Sequence, residues 1–87
     1  MSKVLTSSDR NLYREKSRLI YEKCPDKENW DCVLAFVDKH IKENPLIIQD
    51  FLEFLKEEIT NLGKDNLQKE LNQTKTLMKL IEKKMID

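Results

Sequence analysis

The stretch NPLIIQDFLEFLKEEITNLG, from Asn44 to Gly63, decides the fold that this sequence predicts. Asn44 is a favourable helix N-cap, and Pro45 is tolerated at the first helical position because its missing N–H is not needed there. Gly63 suits the left-handed residue that ends many helices. The stretch therefore predicts a helix over 45–62 with one apolar face: Ile48, Phe51, Leu52, Leu55, Ile59 and Leu62.

This helix is expected to be the central element of an all-α fold. Ile47 and Phe54 widen its apolar face, so it should contact neighbours on two sides. Short connections favour antiparallel neighbours, which predicts an up-and-down bundle of four helices at about 9–24, 27–43, 45–62 and 66–86. Residues 1–8 are expected to form a flexible lead, and 9–87 a single domain. The predicted core contains Trp30, Phe36, Phe51, Leu52, Leu55 and Ile59.

Composition excludes several classes of protein. One Gly and two Pro among 87 residues leave few turn residues, which disfavours a β-sandwich or barrel. Sixteen basic residues balance sixteen acidic ones, which argues against a protein dedicated to wrapping DNA. No stretch approaches the roughly 18 apolar residues of a transmembrane helix, and the N-terminal residues lack the apolar segment of a signal peptide. We therefore expect a cytoplasmic protein that does not bind membranes.

The balanced total hides a segregation of charge along the chain. Residues 1–24 carry six basic and three acidic groups, residues 25–63 carry four and nine, and residues 64–87 carry six and four. Oppositely charged helices are therefore expected to lie side by side. Each exposed ion pair between them would contribute only about 0–1 kcal/mol.

All three arginines repeat every four residues along one side of the first helix, and Arg10, Arg14 and Arg18 are here called the Arg face. A guanidinium is a planar fork of donors that matches carboxylates and phosphates. Three roles are open: pairing with the acidic third helix, docking a partner protein with an acidic surface, or binding a nucleic-acid backbone. Tyr13 and Tyr21 could stack on bases, although both also suit core or rim positions. Interspersed glutamates weaken the nucleic-acid role.

The apolar stripe of the first helix is thin, and we assign to it Leu12, Tyr13, Leu19, Ile20 and Cys24. The fourth helix has a longer pattern. Its residues spaced four, three, four, three and four apart form a heptad face: Leu67, Leu71, Thr74, Met78, Ile81 and Met85. An ordinary amphipathic helix that closes the bundle is one interpretation, and a homodimer through the heptad face is the other.

No residue pattern indicates a catalytic, metal or cofactor site. His40 is the only histidine, and we expect it to be half-exposed near the end of the second helix. Cys32 and His40 would lie about 12 Å apart along that helix, too far to share a metal ion. Cys24 and Cys32 lack CxxC spacing and fit the role of small buried hydrophobes, with a disulfide under oxidation as the alternative.

Together these features favour a non-catalytic protein–protein interaction module of the adaptor, inhibitor or immunity type. The expected contacts with another protein are the Arg face, with Tyr13 and Tyr21, and the apolar residues of the heptad face. The alternative is a nucleic-acid-associated regulatory protein that binds phosphates through the Arg face. No enzyme activity and no cofactor are expected.

Overall fold

The computed structural model describes residues 6–86, which form four α-helices joined by short connections. The helices are α1 (Ser7–Lys23), α2 (Asp31–His40), α3 (Pro45–Lys64) and α4 (Gln68–Ile86). The predicted all-α bundle of four helices is confirmed. Of the predicted flexible lead, positions 1–5 lie outside the described residues, whereas Ser7 and Ser8 are already helical. Within the described part of the chain, no helix is long and apolar enough to cross a membrane.

α3 is the central element because its apolar face is wide enough to contact three neighbouring helices. It contacts α1, α2 and α4, and its contact with α4 is the most extensive. Ile47, Ile48, Phe51 and Leu55 are its buried residues. These four positions lie on one side of α3, and the other helices pack against that side.

The core takes side chains from every helix. Four of the predicted core residues are buried, but Leu52 and Ile59 are only half-buried because the buried face of α3 is centred on the side of Ile48 and Leu55. The most deeply buried side chains are Trp30, Phe51, Ile48, Leu55, Leu77, Ile81, Val33, Val37 and Thr74.

α1 begins at Ser7, two residues before the predicted start, because Thr6 and Asp9 form a capping box. The Thr6 hydroxyl oxygen accepts the Asp9 N–H at 3.1 Å, and the Asp9 carboxylate accepts the Thr6 N–H at 3.2 Å. Two backbone donors that a helix start would otherwise leave unpaired are thereby satisfied. The Thr-x-x-Asp pattern in the sequence therefore marks the true start of α1.

The second helix is shorter than predicted at both ends. Asp26 accepts the backbone N–H groups of Glu28 and Asn29 at 3.1 and 2.9 Å, which holds the connection in a separate turn and lowers the pKa of the Asp26 carboxyl. Trp30 then adopts a left-handed conformation, with φ 58° and ψ 38°, so that α2 begins only at Asp31. At the other end, residues 41–43 form a turn rather than a last helical turn.

The end of α3 also differs from the prediction. The helix continues through Gly63, and the left-handed residue is Asn66, with φ 58°. Leu67 donates its N–H to the Leu62 carbonyl at 3.0 Å, and Asn66 donates to the Gly63 carbonyl at 3.3 Å. These are the two hydrogen bonds of a Schellman motif, in which Asn is tolerated second to Gly. The role predicted for Gly63 is therefore wrong.

Replacement of Gly63 by alanine should stabilise the protein. Gly63 has an ordinary helical φ, and a Cβ atom built there meets no atom within 4 Å. Alanine restricts the unfolded chain more than glycine does, so we expect the free energy of unfolding to rise by about 0.5–1 kcal/mol in urea denaturation. The matched variant Asn66→Ala should lose about 1 kcal/mol, because alanine is strained at positive φ. Equal effects at the two positions would contradict this assignment.

Candidate protein-binding surface

The Arg face lies partly against α3, where the Asp50 carboxylate accepts hydrogen bonds from two of its three arginines. Arg10 donates through Nε and Nη2 to the two carboxylate oxygens of Asp50 at 3.1 and 2.9 Å. Arg14 donates to the same carboxylate at 3.5 Å. The Asp50 side chain is only 12% exposed, and that of Arg10 is 36% exposed. Of the three roles open to the Arg face, pairing with the acidic third helix is the one that Arg10 and Arg14 adopt in this structure.

This ion pair changes the titration of both partners. The hydrogen bonds from Arg10, together with the positive charges of Arg10 and Arg14, hold the pKa of the Asp50 carboxyl below its ordinary value. The same pairing raises the pKa of Arg10. The Asp50 carboxylate therefore joins α3 to α1 through Arg10 and Arg14.

Arg18 differs from the other two arginines because its ionic partner lies on its own helix. Its Nε donates to the Glu22 carboxylate one turn later, at 3.2 Å. The side chains of Arg18 and Glu22 are 65% and 52% exposed. An exposed pair of this kind contributes about 0.3–0.5 kcal/mol, so Arg18 can exchange Glu22 for an external carboxylate at little cost.

A cleft of about 380 Å³ runs between α1 and α3 beside these arginines. The α3 side is acidic, the α1 side is mainly basic, and the half-buried Phe54 ring lies between them. A shallower depression of about 350 Å³ shares two of the lining residues, Glu15 and Arg18. The residues around the larger cleft are Arg14, Glu15, Ser17, Arg18, Asp50, Glu53, Phe54 and Glu57.

Two leucines of α1 point away from the core. Leu12 is 59% exposed and Leu19 is 50% exposed, although α1 is held to the bundle through the buried residues Ser17 and Tyr21. A separation of seven residues places the two leucines on the same side of the helix, about 10 Å apart along its axis. We name the surface formed by Leu12, Glu15, Arg18, Leu19 and Glu22 the α1 outer face.

The prediction that Leu12 and Leu19 belong to the inward stripe of α1 is therefore wrong. The inward positions are Ser17, Tyr21 and Cys24, of which Ser17 is polar and bonds to the Arg14 carbonyl at 3.0 Å. Because a polar residue lies at the centre of the buried face, the pattern of hydrophobic residues alone pointed to the wrong side of α1. The sequence did contain one signal, because Leu12 and Leu19 share their side of the helix with the charged Glu15.

The two tyrosines predicted to contact a partner lie in the interior or at its edge. Tyr21 is buried, its hydroxyl lies 2.7 Å from the Thr74 hydroxyl of α4, and its ring stacks on Trp30 at 5.3 Å. Burial also raises the pKa of Tyr21. Tyr13 is half-buried and meets the His40 ring edge-on at 5.2 Å. Tyr21 in particular is not exposed for stacking on a base.

The heptad face of α4 is turned mostly into the bundle. Leu71, Thr74 and Ile81 are buried, and Leu77, which the heptad assignment left out, is fully buried beside them. Met78 and Met85 are half-buried against the core, while Leu67 is 43% exposed just before the helix begins. A homodimer through Leu71 and Ile81 would therefore have to displace residues that already pack within the chain.

His40 is buried rather than half-exposed. It is 8% exposed and lies between the rings of Phe36, at 4.7 Å, and Tyr13. Its Nδ1 atom has no hydrogen-bond partner among residues 6–86. Burial, with help from the positive charges of Lys39 and Lys16, lowers the pKa of His40 below its ordinary value. The side chain therefore behaves as a neutral core residue at neutral pH.

We expect the free energy of unfolding to fall as the pH is lowered from about 7 to about 5. The total loss should be about 1.4 kcal/mol for each unit by which the pKa of His40 in the folded protein lies below its pKa in the unfolded chain. The ordinary pKa of His40 is 6.5, and the folded value is lower. Below 6.5 the unfolded chain therefore binds a proton that the folded protein does not. Urea denaturation across this range should show the loss for the wild type and a flatter profile for His40→Leu. Parallel profiles would contradict this role of His40.

The two thiols lie on either side of the α1–α2 connection. Cys24 is buried, and its Sγ donates to the Asp26 carbonyl at 3.1 Å, whereas Cys32 is exposed. Within the residues that the structure describes, no group of three or more His, Cys, Asp or Glu side chains is arranged to hold a metal ion.

No family model, no curated protein and no solved structure matches this chain.

Proposed function

We propose that this protein is a non-catalytic protein–protein interaction module that binds another protein through the α1 outer face. The observation that supports this proposal is the exposure of Leu12 and Leu19, at 59% and 50%, on one side of a helix whose opposite side is buried. A single exposed leucine is common on any protein surface. Two leucines one heptad apart, bordered by arginine and glutamate, are typical of a helix that presents apolar anchors to a groove.

Charge and geometry indicate how the partner would be recognised. The two leucines would enter an apolar groove of the partner as anchors about 10 Å apart. Arg18 lies beside Leu19 and is accessible, and arginine is enriched among the residues that dominate binding energy at interfaces. A carboxylate on the rim of the partner's groove would replace Glu22 as the ligand of Arg18. The partner is therefore a protein with an apolar groove and an acidic rim.

Phosphate binding through the whole Arg face has less support. Asp50 already neutralises much of the positive charge of Arg10 and Arg14, and the cleft beside them is lined by Glu53 and Glu57. A nucleic-acid backbone would have to displace Asp50 and approach these carboxylates, which costs electrostatic free energy. The proposal therefore uses Arg18 rather than all three arginines.

The double variant Leu12→Ser/Leu19→Ser should lose its partner while keeping its fold. We expect immobilised wild-type protein to retain a partner from an extract of its own cells, and the double variant to retain at least about tenfold less, because truncation of central anchors costs more than 1 kcal/mol each. The matched control is Leu46→Ser/Ile86→Ser, which changes two other exposed aliphatic side chains that are 38% and 85% exposed.

Quantitative mass spectrometry of the retained proteins gives the comparison, and thermal unfolding checks that all three proteins are folded. The proposal requires a protein that the wild type and the control variant retain and the α1 variant loses. Identical sets of retained proteins for both double variants would show that the α1 outer face is not the binding surface.

A further inference from the structure

The side of α4 that faces away from the bundle carries a row of lysines. Lys75, Lys79 and Lys83 repeat every four residues, so they share one side of the helix, with about 6 Å between neighbours along its axis. All three are exposed, whereas the buried Leu77 and Ile81 lie on the opposite side of α4. We name the surface formed by Lys75, Lys79 and Lys83 the Lys face.

The positive charges of the Lys face are not paired within the described part of the chain. In residues 6–86, Lys84 pairs with Asp38 at 2.8 Å, but none of the three lysines belongs to an ion pair. Glu82 is the only acidic residue in the stretch 71–86, and the helical period places it at the edge of the Lys face. The Arg face differs, because an aspartate of α3 binds two of its arginines. The Lys face therefore presents three positive charges that are available to an external anion.

The residues around the lysines favour a phosphate partner over a protein or a membrane. Asn72 and Thr76 lie on the same exposed side of α4, and amide and hydroxyl groups bind phosphate and sugar oxygens as lysine does. Protein interfaces are depleted in lysine and enriched in aromatic residues. Helices that bind membrane surfaces need an apolar face, whereas the only strongly exposed apolar side chain of α4 is Ile86 at its end.

The composition of α4 also distinguishes single-stranded from double-stranded nucleic acids. Proteins that bind single strands stack the bases on aromatic side chains, and α4 contains no Phe, Tyr or Trp. A duplex can be bound through its phosphates alone. The Lys face therefore fits a duplex better than a single strand.

The shape of α4 favours DNA over RNA. α4 packs mainly against α3, so its other side lies at the surface of the bundle. An α-helix is about 10–12 Å across, which matches the major groove of B-DNA at about 12 Å, whereas the major groove of A-form RNA is deep and narrow. When α4 lies over the groove of B-DNA, the long lysine side chains can reach the phosphates on its rims.

We propose that α4 binds duplex DNA through the Lys face, with contacts to phosphates and without sequence preference. A lysine ammonium group is a point charge on a flexible stem, and a phosphate contact carries no sequence information. Each phosphate that a lysine neutralises releases counterions from the duplex, so the affinity falls as salt is added. This surface is separate from the α1 outer face, and the proposal does not depend on the partner of that face.

The test is fluorescence anisotropy of a labelled DNA duplex of mixed sequence, titrated with the full-length protein. We expect a dissociation constant below about 0.1 mM at about 50 mM salt. It should rise about 40-fold at about 200 mM salt, because each of the three neutralised phosphates contributes about 0.9 to the logarithmic salt slope. The absence of binding at the lower salt concentration, or an affinity that does not change with salt, would overturn the proposal.

The triple variant Lys75→Gln/Lys79→Gln/Lys83→Gln should bind at least about tenfold more weakly at low salt and lose most of the salt dependence, because each lysine accounts for about one unit of the slope. Glutamine is a good helix former, so the substitutions should leave α4 intact. Thermal unfolding checks that the variant is folded. Affinity equal to that of the wild type would show that DNA binds elsewhere.

The matched control is Lys39→Gln/Lys42→Gln/Lys56→Gln, which removes three exposed lysines outside α4 and changes the net charge by the same amount. This variant should keep the affinity and the salt slope of the wild type. An equal loss of affinity in both triple variants would show that binding follows the net charge, which contradicts the assignment to the Lys face.

Four other probes are titrated under the same conditions to represent the other classes of anionic partner. They are an RNA duplex and a DNA single strand of the same sequence, vesicles that contain phosphatidylserine, and polyglutamate. We expect each of them to bind more weakly than the DNA duplex. Tighter binding of any one of them would overturn the proposal and would identify the class of partner that the Lys face prefers.

Discussion

Replacement of Trp30 by alanine should lower the free energy of unfolding by about 3–5 kcal/mol, the largest single-residue effect that we expect. The Trp30 side chain is 1% exposed, so its removal leaves a cavity in a domain with one small core. The indole N–H also donates to the Gln73 carbonyl of α4 at 3.1 Å. Trp30 thus joins the α1–α2 connection to the last helix.

Stacking adds a second contribution at this position. The Tyr21 ring lies parallel to the indole at 5.3 Å, with an angle of 4° between the planes, and the Lys27 ammonium lies over the indole at 5.1 Å. Aromatic pairs contribute about 0.5–1.5 kcal/mol beyond the burial of their area. Loss of the indole therefore also loosens Tyr21, whose hydroxyl bonds to Thr74.

Urea denaturation followed by circular dichroism measures this effect, because the variant lacks the only tryptophan. The variant Trp30→Phe keeps a stacked ring and loses the indole N–H, so it should cost about 1–2 kcal/mol. As a surface control, Leu19→Ala should change stability by less than about 0.5 kcal/mol. A Trp30→Ala variant within about 1 kcal/mol of the wild type would show that the connection is not anchored by this residue.

Reversal of the charge at Asp50 should lower the free energy of unfolding by about 2–4 kcal/mol. Asp50→Lys would bring a third positive charge against Arg10 and Arg14, which now lie 2.9 and 3.5 Å from its carboxylate. The Asp50 side chain is 12% exposed, so solvent screens this repulsion only in part. The neutral variant Asp50→Asn should lose less than the reversed one, because the amide still accepts a hydrogen bond from Arg10.

A second substitution distinguishes the arginines. Arg10→Glu should restore most of the stability of Asp50→Lys, because it recreates an ion pair of the opposite sense at the same position. Arg18→Glu should restore none, since Arg18 pairs with Glu22 and not with α3. The measurement is chemical denaturation of the wild type, Asp50→Lys and the two double variants that add Arg10→Glu or Arg18→Glu. Equal rescue by both substitutions would show that the effect is long-range charge and not the contact with Asp50.

The pH dependence of Asp50 provides an independent check. Its ordinary pKa is 3.8, and the folded value is lower, so its contribution to stability is complete above 3.8 and is lost as the pH falls below it. Asp50→Asn should therefore lose stability less steeply than the wild type in acid. This range lies below the one in which His40 acts, so the two groups can be separated in a single titration.

Substitutions of Arg10 and Arg18 also distinguish a structural role from a binding role within the Arg face. Arg10 holds α1 against α3, so its loss should reduce stability. Arg18 is exposed and paired only along its own helix, so its loss should reduce partner binding with little effect on stability. Within the Arg face, we therefore expect Arg10 to act in stability and Arg18 in the proposed partner binding.

Features that depend on a few neighbouring residues could be predicted from the sequence. The period of the apolar residues in α3 predicted its buried face, because successive residues of that face lie no more than about one helical turn apart. The near-absence of Gly and Pro gave the all-α class for the same reason. Local propensity and local hydrogen bonding are enough to determine features of this kind.

Only the tertiary structure decided which side of α1 faces inward and where the chain turns between the helices. Trp30 takes a left-handed conformation because its indole then reaches α4, and no local signal indicates that contact. Leu12 and Leu19 face outward because α1 contacts α3 through Arg10 and packs its other end through Tyr21. The contacts that hold these residues join positions 40, 43 and 53 apart in the chain. A single sequence does not reveal which distant residues will be neighbours.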